Sequence, residues 1–176
     1  MIKNGVWCLA ALLALIAGYT DWRWRRIPNW LTVPGLILGV VSNSLAWGWS
    51  GARNSLLGAA LGLALLLPLV LVRSLGAGDW KLVGAIGAFV GWRSLLTVLA
   101  AAVIVNGLIV LGMIIQKRRI GRTLRNMFRL LASFLSLHLP ENDLTLDNPD
   151  AVKVPFGVSA AIAVVLFSAE QIWRQR

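Results

Sequence analysis

Apolar runs long enough to cross a bilayer recur along this chain with hardly a break, and that pattern decides what it can fold into. Of its 176 residues, 58% are hydrophobic and only 14% charged, with a mean hydropathy of +0.76. A soluble domain carries about 25% charged residues. No soluble core of this length needs so much apolar surface, so lipid must take it up. No polar stretch is long enough to fold alone, so residues 1–176 read as a single membrane-embedded domain.

A bilayer core ~30 Å thick requires about 20 apolar residues per helix. Scanning for such runs predicts an all-α, polytopic membrane helix bundle with about six transmembrane helices. The spans are 5–20, 30–49, 55–72, a short glycine-rich fourth at 79–92, then 95–116 and 154–173. The first run has its positive charges after it rather than before it, the reverse of a cleavable signal, and is expected to be a retained helix. The one cysteine, Cys8, lies in that run and is expected to be a small apolar core residue. A cytoplasmic loop at about 117–153 is the only sizeable polar connection. Its first half, through Leu137, is expected to lie on the membrane as an amphipathic helix. Its second half carries Glu141, Asp143, Asp147 and Asp150, either a solvated linker or a patch that steers a basic ligand.

The basic residues orient the bundle. With the turn 21–29 in the cytoplasm, the inner face holds Arg23, Arg25, Arg26, Arg73, Lys81, Lys117, Arg118, Arg119, Arg122, Arg125, Arg129 and Lys153. The outer face keeps Lys3, Arg53, Arg93, Arg174 and Arg176. That bias is the positive-inside pattern, so the formal charge of +10 reflects topology and anionic lipid headgroups rather than nucleic-acid binding. Trp22, Trp24, Trp30 and Trp80 fall at the inner boundary, and Trp47, Trp49, Trp92 and Trp173 at the outer one, as interfacial indoles do.

The chemistry follows from a short inventory of acids. Those of the polar loop are solvated, and Glu170 is placed to snorkel or to pair with a tail arginine. Asp21, at the end of the first span, and Asp79, at the start of the fourth, lie where an ionisable group is costly and is functional by default. Two crossings separate them, so both reach the cytoplasmic face. Two carboxylates at one depth can share a proton: one acts as general base on water while its protonated partner polarises a carbonyl. That route needs no metal, cofactor or covalent intermediate. Other hydrolytic designs fail for want of parts: His138 is the one histidine, there is no His-Glu-x-x-His, and no Gly-x-Ser-x-Gly elbow. A small transporter or channel using the two aspartates as proton or cation sites is the rival reading, but no internal repeat supports it.

Asp21 is followed by a basic stretch and Ile27-Pro28-Asn29. Asp79 belongs to Gly76-Ala77-Gly78-Asp79-Trp80-Lys81, and Val154-Pro155-Phe156-Gly157 opens the last span. In order and spacing these motifs resemble those of the type IV prepilin peptidases, a family of membrane aspartyl proteases, along nearly the whole chain. The resemblance implies an enzyme of the bacterial inner membrane that removes the leader from prepilin or pseudopilin precursors at the cytoplasmic face, with Asp21 and Asp79 as its catalytic pair. The chain lacks the cysteine-bearing, zinc-associated loop of the long family form. It looks like the short form that serves Flp-type tight-adherence pili, without the methyltransferase region.

The orientation is testable by thiol labelling. In a Cys8→Ala background, cysteines at positions 26 and 122 are expected to react only from the cytoplasmic side, and cysteines at 53 and 176 only from outside. Labelling of position 26 from outside inverts the topology.

Overall fold

The computed structural model describes residues 2–71, 75–117 and 156–174. These form four helices: α1 (Ile2–Trp24), α2 (Asn29–Leu71), α3 (Ala77–Lys117) and α4 (Phe156–Arg174). All four are long and apolar enough to cross a membrane, so the described residues form an all-helical membrane bundle. The expected surface helix, the acidic run, His138 and Val154-Pro155 fall outside the described residues.

α1 stops where the sequence stops supporting it. Arg25 turns left-handed (φ 53°), and Pro28 has no N–H to extend a helix. Instead the Pro28 carbonyl accepts from Leu31 at 3.1 Å and Thr32 at 3.4 Å, which starts α2.

α2 has 43 residues, about 65 Å if straight at ~1.5 Å per residue, twice the bilayer core. It is not straight. Gly48 adopts φ 62°, ψ −144°, a conformation that favours glycine, and the chain doubles back there. Asn43, before the break, donates to the Ala88 carbonyl at 2.9 Å, and Ser55, after it, donates to the same carbonyl. α3 repeats the device at Gly91 (φ 77°, ψ 167°). Among the described residues, four helices therefore stand where about six spans were expected. The additional segments are limbs of α2 and α3 beyond their glycine breaks, because a single glycine reverses the chain without a polar loop.

The glycine-rich stretch expected as a short fourth span is the near limb of α3, and it occupies the centre of the bundle. Leu82 to Gly91 is buried without interruption, so it is apolar or small on every side, as a fully enclosed helix must be. Both limbs of α2 clasp it. A Cβ at Gly58 would collide with the Gly87 carbonyl, one at Gly87 with the Gly58 carbonyl, and one at Gly39 would lie 2.8 Å from the Ala88 Cβ. Lipid tails give no hydrophobic drive for helices to associate, so this close packing and the Asn43 and Ser55 hydrogen bonds hold the helices together. α1 and α4 pack antiparallel beside the clasp, with Gly18 against Ala161 and Trp7 edge-on to Phe167 at 5.8 Å.

The outer hull is apolar: Leu45 is 74% exposed and Ile104 65%, as a lipid-facing surface requires. Cys8 lies on that hull rather than in the core where it was expected, because Val6, Trp7 and Ala10 form the inward face of its turn. Trp80 and Trp47, expected at the boundaries, also make contacts within the bundle. Trp80 donates its indole N–H to the Leu63 carbonyl at 2.7 Å, and Trp47 packs edge-on against Trp7 at 6.4 Å. Glu170 pairs with Arg174 at 2.6 Å, one of the two alternatives read for it.

The clasp makes a sharp prediction. Gly58→Ala forces a methyl into the Gly87 carbonyl and should cost about 1–3 kcal/mol, the usual range for overpacking. Gly107→Ala, with open space around it, should be neutral or slightly stabilising. Unfolding midpoints in detergent micelles compare the two.

Candidate functional site

Three segments distant in sequence meet at one end of the bundle: the turn after α1, the residues that open α3 and the first turn of α4. Between the first two lies a cleft of about 420 Å³ lined by Asp21, Arg25, Arg26, Ile27, Pro28, Asn29, Gly76, Gly78 and Asp79. Both carboxylates singled out in the sequence line it, and they lie within electrostatic reach of each other. A larger cavity lies at the other end of the bundle, so size alone does not mark where the acids converge.

Asp21 is only 6% exposed. It sits in the last turn of α1, which runs past it to Trp24, and its Oδ2 accepts the backbone N–H of Gly157 at 2.7 Å. Gly157 is the second residue of α4, where backbone N–H groups have no intrahelical acceptor. The carboxylate thus satisfies a free donor at the positive end of the α4 dipole. Glycine is required at 157 because a Cβ there would lie 2.8 Å from the Asp21 Cβ and 2.9 Å from Oδ2. The Arg25 guanidinium also interacts electrostatically with Asp21.

Asp79 is half-buried in the first turn of α3. Its Oδ2 folds back toward Gly76, where a Cβ would stand 3.0 Å away. The Trp80 N–H bonds the Gly76 carbonyl at 3.2 Å, closing the turn that carries the aspartate. Gly78 lets that turn touch the other wall of the cleft: a Cβ on it would lie 3.0 Å from the Ile27 carbonyl oxygen.

The same two walls are tied by a bond that inspection of the sequence did not find. Lys81 Nζ donates to Asn29 Oδ1 at 2.9 Å, joining the ends of the Ile27-Pro28-Asn29 and Gly76–Lys81 motifs. Gly157 was noted only as part of a motif, with no role. Its nearness to an acid more than a hundred residues earlier left one sign in the sequence, a glycine where a helix begins. Each of the three motifs therefore contributes to one site: the first two form the cleft walls and the third anchors Asp21.

The chain matches the type IV leader peptidase family over residues 8–111. It is similar to the prepilin leader peptidase/N-methyltransferase of Myxococcus xanthus, 33% identical over 125 residues, which is 67% of this chain and 37% of that protein. It is also similar to the Escherichia coli protein of the same name, 30% identical over 144 residues, 77% of this chain and 64% of the relative. The chain thus spans less than two thirds of the length of either. No solved structure matches it.

The anchoring of α4 by Asp21 can be separated from any chemistry. Asp21→Ala strands the Gly157 N–H and should cost about 1–3 kcal/mol of stability, the usual penalty for an unsatisfied buried donor. Asp21→Asn keeps an oxygen that can accept and should cost less. Equal losses in the two variants, read from unfolding midpoints, contradict the anchoring role.

Proposed function

The chain belongs to the type IV leader peptidase family, and from that premise we propose that it is an aspartyl endopeptidase that removes the leader from prepilin-like precursors. The observation that carries the reading is the convergence of Asp21 and Asp79 on one cleft. In the proposed reaction the ionised carboxylate takes a proton from water as it attacks the scissile carbonyl carbon. The protonated partner hydrogen-bonds the carbonyl oxygen and stabilises the charge that grows on it. Collapse of the tetrahedral intermediate breaks the C–N bond and passes a proton to the departing amine, and the dyad returns to sharing one proton.

The limbs on either side of Gly48 and Gly91 each cross the membrane in this proposal, giving six crossings. The cleft then faces the cytoplasm of a bacterial inner-membrane protein, as the clustering of basic residues in the sequence supports. A leader on the cytoplasmic side would reach the dyad while the apolar stem of its precursor stays in lipid.

A second reading of Asp21 rests on its bond to Gly157: the carboxylate could serve only to anchor α4. Asn substitution distinguishes the two, since an amide can still accept from Gly157 but cannot take up or return the catalytic proton. Asp21→Asn and Asp79→Asn are each expected to abolish leader cleavage of a co-expressed precursor while the protein stays inserted and folded. The double variant should be no worse than either single one, as groups acting as a unit are non-additive. Cleavage retained by either single variant removes that residue from the dyad.

A further inference from the structure

The cavity of about 810 Å³ at the opposite end of the bundle belongs to no part of the peptidase reading. It opens beside the Gly48 and Gly91 reversals, and both Arg53 and Arg93 line it. Among the described residues no acid lines it. Glu170 is adjacent in sequence to the lining residue Gln171, and its carboxylate is held by Arg174 at 2.6 Å. Lys3 adds a third positive charge, its Nζ standing 5.9 Å from the centre of the Trp47 ring that forms part of the wall. These cations lie on the side where the positive-inside bias disfavours them, yet three of the five basic residues assigned there converge on this cavity.

The remainder of the lining suits an amphiphile. Arg93 lies over the Trp92 ring at 5.2 Å, which leaves the guanidinium edge for an anion while its face is covered. Trp7 also lines the cavity; it is more than nine-tenths buried, and its indole N–H has no acceptor among the described residues. Asn54 and Ser94 supply neutral hydrogen-bonding groups. The volume is in the range of sites that hold a small molecule, roughly 300–1,000 Å³. The rim runs onto the apolar hull, where Trp49 is 82% exposed.

We propose that this cavity is a binding site for an anionic phospholipid headgroup, with the phosphodiester held between Arg53 and Arg93 and the glycerol against the indoles. Guanidinium forks match phosphate oxygens better than any other side chain. A lipid rather than free phosphate is the fitting occupant, because only an amphiphile uses both the cationic lining and the continuous apolar rim. The site is independent of leader cleavage and contains no residue of the proposed dyad.

The test uses the full chain in an uncharged maltoside detergent, with unfolding followed by circular dichroism. Dioctanoyl phosphatidylglycerol, dioctanoyl phosphatidylcholine and inorganic phosphate are each titrated into it. The phosphatidylglycerol is expected to raise Tm saturably, with far smaller effects from the other two. Arg53→Gln and Arg93→Gln should each raise the concentration for half-maximal effect by about tenfold, equivalent to one charge-assisted hydrogen bond. The double variant should lose most of the rise. Both arginines are exposed, so the variants should fold, and the half-maximal concentration can be read whatever their starting Tm. The Arg53→Lys, Arg93→Lys double variant should keep part of the effect. A rise undiminished in the Gln double variant, or matched by phosphatidylcholine, overturns the site; one matched by inorganic phosphate overturns the lipid as occupant.

Discussion

The backbone contact between Gly58 and Gly87 is the interaction on which the rest of the bundle depends. With no hydrophobic gain to draw apolar helices together inside lipid, association rests on close packing and interhelical hydrogen bonds. Glycines permit the first, and Asn43 and Ser55 supply the second by converging on the Ala88 carbonyl. The same clasp sets the depth of the near limb of α3, and therefore of Asp79 at its start. Catalytic geometry would be transmitted along a rigid helix rather than held by the cleft alone. Gly78 against Ile27 and Lys81 against Asn29 then make the final adjustment.

Under the proposed function Asp21 would carry two demands at once, and they are compatible. A carboxylate offers two oxygens and about four lone-pair sites, and the Gly157 N–H takes only one of them, on Oδ2. The bond holds the rotamer of a side chain that the proposed proton transfer would require to be kept in place, so anchoring α4 and orienting a catalytic acid would be aspects of one arrangement. Gly157 serves both by leaving no Cβ to push the carboxylate away.

Much of this was legible from the chain. The apolar runs located the helices, because hydrocarbon allows few alternatives to a helix. Counting crossings brought Asp21 and Asp79 to one end, where a shared cleft contains them. What was not legible is specific. The runs ending at Trp49 and Trp92 suggested separate helices, since a single residue that reverses a chain differs little in sequence from any other glycine. The bond from the Trp80 indole N–H to the Leu63 carbonyl was hidden too, because that partner exists only once α2 has doubled back. The bonds Gly157–Asp21 and Lys81–Asn29 join segments far apart in sequence, and no local pattern encodes such a pair.

The two ends of the bundle are built differently, and the difference suits the roles proposed for them. At the cleft end the chain passes between helices: α1 gives way to α2 there, α3 begins there, and α4 starts against Asp21. The far limb of α3 returns toward it as well, with Asn106 meeting Ser159, two residues beyond Gly157. Connections of this kind commonly carry function on a rigid scaffold, because they can adjust while the helices cannot. At the other end the chain turns within single glycines, Gly48 and Gly91, and the Asn54 amide packs directly onto Gly91. Turns so tight fix where the chain at Arg53 and Arg93 stands, so the fold itself sets both residues beside the cavity. A protease must admit an extended peptide and release two products, which favours the adaptable end. A lipid headgroup that remains bound is better served by the fixed one.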